Sequence, residues 1–204
     1  MASKTQSTLR EYVEAAVWAL VLTLFLRAFV IQAFRIPSES MRDTLLVGDF
    51  LFVNKFEYGP KIPFTHIRLP GLRQPRRGDV IVFQFPQDPS KDFIKRCIGT
   101  GGKTIQVVNK QVIVDGEKLV EPYAIHTDPN VRGAGFDFRD NYGPYSVPPG
   151  QLFMMGDNRD NSNDGRYWGP LEMDLVTGRA MFLYWSWDSE KNWPRWNRLF
   201  TPIH

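Results

Sequence analysis

Residues 15–34 carry one charge, Arg27, and one amide, Gln32, in an otherwise apolar run. As a helix rising 1.5 Å per residue, such a run is about 30 Å long, the thickness of a bilayer core. A spanning helix, a cleavable signal peptide, an interfacial helix and a buried core helix all fit the pattern, and the length favours the first. A signal peptide ends its apolar run in small residues of the A-x-A kind, whereas Leu26 is followed by Arg27, Phe29, Gln32 and Phe34. Arg27 lies towards one end, where its stem reaches the headgroups. The pattern therefore predicts a short segment over 1–14, a transmembrane helix over 15–34 and a working domain over 35–204. Charge leaves the orientation open, because Lys4 and Arg10 are offset by Glu11 and Glu14 while Arg35, Arg42 and Lys55 follow the helix.

Beyond Phe34 the apolar runs shorten and are separated by Gly, Pro, Asn and Asp, which predicts a mainly β, antiparallel domain rather than alternating βαβ units. Val80–Phe85 reads as a strand between Arg77-Gly78-Asp79 and Pro86. Thr104–Val108 and Gln111–Val114 flank Asn109-Lys110 as a hairpin, with Asp115-Gly116 turning the chain after the second arm. Gln151–Met155 and 180–187 are further strands, and 58–78 and 126–150, rich in Pro, Gly and Asp, are surface loops. The tail over 182–200 holds Tyr184, Trp185, Trp187, Trp193 and Trp196. It reads as a β edge with a packed C-terminal segment, the alternative being an aromatic surface at headgroup level.

Composition removes whole classes of function. A chain of 204 residues with 43% apolar and 23% charged positions is a folded protein with one working core. A net charge of +3, spread along the chain, gives no nucleic-acid surface. One cysteine, Cys97, forms no internal disulfide, and His66, His126 and His204 match no zinc spacing, so no metal or cofactor is expected. SxxK, GxSxG and GxxxxGK[ST] are absent.

Three segments remain as candidates for chemistry. Ile36-Pro37-Ser38-Glu39-Ser40-Met41 places two serines directly after the membrane segment; alone, it reads as a polar juxtamembrane linker. Within 92–99, Lys95 lies between Ile94 and Cys97-Ile98; as a strand this puts Phe93, Lys95 and Cys97 on one face, and a snorkelling lysine is the plain alternative. The run 156–169 is a polar loop whose Asp157, Asp160 and Asp164 lack EF-hand spacing.

Taken together, PSESM at 37–41, RRGDVIVF at 76–83, FIKR at 93–96 and GDNRDNSNDGRYWG at 156–169 resemble the bacterial type I signal peptidases, membrane-anchored Ser/Lys proteases, over nearly the whole chain. The resemblance implies Ser40 as nucleophile and Lys95 as general base, with the Ser38 side chain joining the Ser40 N–H in the oxyanion hole. It also implies that Ser162 orients the lysine amine, that Asp164 and Arg166 hold the loop as an ion pair, and that Phe34, Ile36, Met41, Leu45, Val82, Phe93 and Ile94 form pockets for small side chains. Implied too are a fold shared with self-cleaving Ser/Lys repressors, secretory preproteins as substrates cut after A-x-A sites, a cytoplasmic N-terminus, and a catalytic domain outside the inner membrane near the translocation machinery.

These residue types suit amide hydrolysis, which needs an activated nucleophile, a proton carrier and oxyanion donors. Lysine, with an ordinary pKa near 10.4, must be depressed by about 2 to 3 units to act near pH 8, and apolar burial does this. Asp43 stands where the family usually has Pro, and is expected to turn away or pair with Arg42. Glycines at 99, 101, 102 and 165 depart from the family pattern in loops. A tethered β domain that only binds extended peptides, a self-cleaving repressor and a pilus- or conjugation-type peptidase are the competing readings. The membrane helix opposes the second, and Ser40 with Lys95 opposes the first.

Overall fold

The computed structural model describes residues 2–63, 65, 67–133, 135 and 137–204, with residues 2–7 described by backbone alone. The Lys4 side chain and His66, both weighed in the sequence, lie outside the described residues. The elements in chain order are α1 (Ala2–Phe29), β1 (Ile31–Arg35), β2 (Asp49–Asn54), β3 (Val80–Phe85), β4 (Asp88–Thr100), β5 (Thr104–Val108), β6 (Gln111–Val114), β7 (Glu117–Lys118), β8 (Tyr142–Ser146), β9 (Gln151–Met155), α2 (Gly165–Trp168), β10 (Leu171–Glu172), β11 (Val176–Asp188) and β12 (Trp193–Pro194).

The apolar helix exists but ends earlier than the hydropathy pattern predicts. The stretch long and apolar enough to span a bilayer is Thr8–Phe29, with mean hydropathy 1.6 and no part of its most apolar window buried by protein. A helix exposing Trp18, Leu20, Leu22 and Phe25 is consistent with a membrane anchor. Residues 31–34, expected as its last turn, instead lie in β1, paired antiparallel with β2 from Ile31↔Asn54 to Arg35↔Phe50. The reason is local: Val30, Ile31 and Phe34 favour extended backbone, and the partner strand supplies the hydrogen bonds. Lys55 seals the junction, its N–H donating to the Val30 carbonyl at 2.9 Å and its Nζ to the carbonyl of Arg27 at 3.3 Å, a cation where the helix dipole is negative.

The larger sheet runs β1-β2-β11-β3-β4-β9-β10, and the smaller β7-β6-β5-β8, with every strand pairing antiparallel. The fold is thus mainly β, as the turn pattern predicts. In the β5–β6 hairpin, Asn109 and Lys110 take φ of +47° and +70°, the left-handed pair that matches strand twist. One predicted loop is partly wrong: 126–150 contains β8, whose Tyr142 and Tyr145 pack against Phe153 and which pairs with β5. Prolines and glycines around the short Tyr-Gly-Pro-Tyr strand mask its signal.

Three apolar clusters hold the sheets. The first, containing Ile36, Met41, Leu45, Leu51, Val82 and Ile94, lies beneath the turn that follows β1. A second joins Ile81, Phe83, Cys97 and Met154, and a third fills the small sheet with Ile105, Val107 and Phe153. In the tail, Ile203 is buried and Pro202 bridges Phe182, whereas Trp193, Trp196 and Phe200 stay exposed. Both readings of the tail keep a footing: it packs, and it leaves an aromatic rim.

Candidate active site

The chain leaving β1 is extended through Ile36, whose N–H donates to the Asp49 carbonyl, and then tightens into a turn over 38–45. Met41 and Leu45, both fully buried, pin that turn into the first cluster. They anchor the turn from below, rather than lining the surface of the cleft as the pocket assignment implied. Ser40 is thereby held facing β4, where Lys95 pairs with Ile81 in the sheet centre. Residues 55 apart in sequence meet here: Lys95 Nζ lies 2.6 Å from Ser40 Oγ and donates to the Ile94 carbonyl at 3.0 Å. Ser38 Oγ is 3.4 Å from Ser40 Oγ, on the open side of the turn.

Lys95 is 3% exposed. Burial lowers its amine to about 8, against partial opposition from the carboxylates of Asp164 and Asp157. The Phe93 ring, 5.3 Å from Nζ, is part of the apolar wall. Burial has the opposite effect on the Cys97 thiol, pushing it up to about 12 and so leaving it a poor nucleophile.

The loop after β9 braces both groups. Asp164 caps α2 and is ion-paired with Arg166 at 2.8 Å, each side chain fully buried. Burial alone would raise its carboxyl, but the Arg166 charge, the Arg166 hydrogen bond and the Gly156 N–H hold it below the ordinary range. The predicted pair is therefore present. The Ser162 Oγ is buried over Gly156 beside the Asp164 carboxylate, which it helps to hold down, and the Lys95 amine bonds to Ser40 and Ile94.

A brace that sequence reasoning missed runs through Asp157 and Asn158. Asp157 accepts both arms of the Arg96 guanidinium at 2.8 and 2.7 Å and the Thr44 hydroxyl at 2.6 Å. Asn158 donates its N–H to the Ser40 carbonyl and its Nδ2 to that of Glu39. The turn bearing Ser40, the strand bearing Lys95 and the loop over 156–166 are thus tied at one point. The available signal was Arg96 itself, since an arginine inside an apolar strand needs a carboxylate.

Gly156 shows how tightly these parts meet. A Cβ there would fall 2.3 Å from Ser162 Oγ and 2.5 Å from the Ser40 carbonyl. Gly156→Ala should therefore displace the Ser40 backbone, with a loss of about 10²-fold in kcat for a misplacement near 1 Å. Steady-state kinetics alongside a melting curve would check it, and a wild-type kcat would show that the loop yields instead.

Asp43 is exposed, with φ of +72°. The carboxylates whose charge reaches Lys95 are Asp164 and Asp157. Arg42 meets Glu39, at 4.0 Å, rather than Asp43. Proline, restricted to φ near −65°, would not fit this backbone.

A cleft of about 420 Å³ opens over Ser38, Ser40 and Lys95, with Phe93, Asn161 and Asn163 also in its lining. Next to it, Phe34, Ile36, Val82 and Ile94 line a shallow apolar recess that shares Pro37, Asp92, Phe93 and Ile94 with the cleft. A separate polar pocket beside Lys110 and His126 is a charge-locked seam, with Lys110 bonded to Asp160 and Arg139 to Asp140 and Asp128. Among the described residues no cluster of His, Cys, Asp and Glu is arranged to hold a metal.

The sequence model of the family described as "Signal peptidase, peptidase S26" matches residues 9–185. Signal peptidase I of Pseudomonas aeruginosa is 35% identical over 221 residues, covering 93% of this chain and 78% of its own. Signal peptidase I of Leptolyngbya laminosa is 37% identical over 189 residues, covering 89% and 82%. A solved signal peptidase I from Enterococcus faecalis aligns with a TM-score of 0.43 and 27% identity, over 52% of this chain and 97% of its own.

Proposed function

Because the chain belongs to the signal peptidase family, peptidase S26, we propose that it is a membrane-anchored serine endopeptidase that removes signal peptides from secretory preproteins after small-x-small sites, with Ser40 as nucleophile and Lys95 as general base. The observation that carries this is the 2.6 Å contact between the Ser40 hydroxyl and a lysine amine that burial has brought down to about 8.

A neutral Lys95 takes the Ser40 proton as Oγ attacks the carbonyl carbon of the scissile amide, and the oxyanion meets the Ser40 N–H and the Ser38 hydroxyl. The ammonium returns that proton to the leaving nitrogen, the C–N bond breaks, and an ester on Ser40 remains. Water then attacks the ester, giving its proton to Lys95, and the Ser40 hydroxyl re-forms as the acid departs. The hydroxyl of Ser162, buried near the Ser40 carbonyl and the Asp164 carboxylate, is available to orient the amine once it releases Oγ. The recess formed by Phe34, Ile36, Val82 and Ile94 suits small side chains on the acyl side. With β1 following α1 directly, the site stays close to the membrane, where preproteins leave the translocation machinery. The catalytic domain then lies on the extracytoplasmic face of the inner membrane, with the N-terminus in the cytoplasm.

Cleavage of a preprotein with an A-x-A site in detergent micelles, mapped by mass spectrometry, tests the reading. A cut after the second Ala is expected, and folded protein that binds the peptide without cutting it would return the chain to the tethered binding class. The pH dependence is a second check. Only the neutral amine accepts the proton, so kcat/KM should rise through about pH 8 and fall about tenfold per unit on the acid side. An acid limb near the ordinary lysine value of about 10.4 would mean that burial does not depress the amine, and a profile with no limb at or above about 8 would remove Lys95 as base.

A further inference from the structure

The cleft does not end at Ser40. On one side lies the apolar recess of Phe34, Ile36, Val82 and Ile94. Asn161 and Asn163 line the cleft beside Ser40 and Lys95, and neither lines that recess. If small apolar side chains of the signal peptide occupy the recess, the polypeptide leaving Ser40 in the opposite direction runs along these two amides.

Their setting is unusual for surface asparagines. Ser162 between them turns its hydroxyl inward over Gly156, so the flanking side chains are exposed at the cleft. The loop is held at both ends. Asn161 donates its N–H to the Asn158 carbonyl, while Asn158 is bonded to the Ser40 and Glu39 carbonyls. Asp164 closes the other end through Arg166 and the Gly156 N–H. Among the described residues, neither amide side chain makes a hydrogen bond to protein. A carboxamide offers both donors and an acceptor, the set that matches the alternating N–H and C=O groups of an extended peptide. Rigid placement makes such bonds cheap in entropy.

We propose that Asn161 and Asn163 form a binding subsite for the main chain of the first residues of the mature protein, on the leaving-group side of the scissile bond. The inference rests on the peptidase reading above. It gives the enzyme a hold on the exported product that is independent of side-chain identity, as an enzyme acting on many mature N-termini requires.

The test uses the full chain in detergent micelles and two peptides with the same A-x-A acyl side. One continues for five residues after the scissile bond, and the other ends one residue after it as an amide. The readout is the ratio of kcat/KM for the longer peptide to that for the shorter. Asn161→Ala with Asn163→Ala should lower this ratio about tenfold, the loss expected for two neutral hydrogen bonds. Each single variant should produce part of the fall, chiefly in KM. A ratio the double variant leaves unchanged, whether both peptides are cut as before or both are cut equally slowly, overturns the subsite. Failure of the wild type to cut either peptide would instead overturn the peptidase reading, so the two failures are distinct. Addition of a dipeptide amide to the ester intermediate offers an independent measure. Here the amine attacks the Ser40 ester, forming a new amide and freeing the hydroxyl. Its competition with water should weaken in the double variant, and an unchanged partition would count against the subsite.

Discussion

Ser40→Ala and Lys95→Met should each lower kcat/KM for a preprotein by roughly 10⁴- to 10⁶-fold, the range seen when one member of a catalytic unit is removed, while the protein remains folded. Ser40→Ala removes one hydroxyl from a turn held by Met41, Leu45, Asn158 and Thr44. Met replaces the lysine stem with apolar atoms of similar length, and it relieves the strand of a charge that burial already disfavours. Lys95→Met should therefore be no less stable than the wild type at neutral pH. Because the two groups share one proton, the double variant should be no slower than either single one. Melting curves, and mass-mapped cleavage over long incubations, would check these outcomes together. Residual activity within tenfold of wild type in either variant would require another nucleophile or base.

Local signals made the strands legible and long-range ones did not. The β5–β6 hairpin is specified by its turn residues, and β3 by apolar residues between turn signals, so both appear at their predicted bounds. The end of the membrane helix was misread because Val30 to Phe34 are as apolar as the helix before them; only the pairing with β2 separates strand from helix. The site was legible as motifs, since PSESM and FIKR name Ser40 and Lys95, and the sheet brings them to 2.6 Å. What holds them depends on contacts such as Arg96 with Asp157, 61 positions apart, or Thr44 with Asp157, 113 apart. No period or spacing encodes such pairs. Ser162 shows the converse: a motif assigns a role to a side chain, but its rotamer is decided by Gly156 and Asp164 around it.

Arg96→Met should destabilise the protein by about 3 to 5 kcal/mol, the cost of leaving one member of a buried ion pair uncompensated. Both side chains are almost fully buried, the guanidinium lies 3.9 Å over the Tyr123 ring, and it also donates to the Gly78 and His204 carbonyls. After its loss the Asp157 carboxylate keeps, among the described residues, only the Thr44 hydroxyl. The same change should reach the chemistry. Asp157 is one of the carboxylates that favour the charged form of Lys95, and without the arginine its field is no longer offset. The Lys95 amine should then hold its proton to higher pH, moving the acid limb of kcat/KM upward from about 8. Adding Asp157→Leu removes the stranded charge, so the double variant should recover much of the stability and bring the limb back down. Denaturant unfolding and pH profiles of the three proteins separate the effects. If Arg96→Met loses stability while its limb stays in place, the pair is a structural brace and no more. If both move and both return in the double variant, the ion pair that fastens the Ser40 turn also sets the basicity of Lys95.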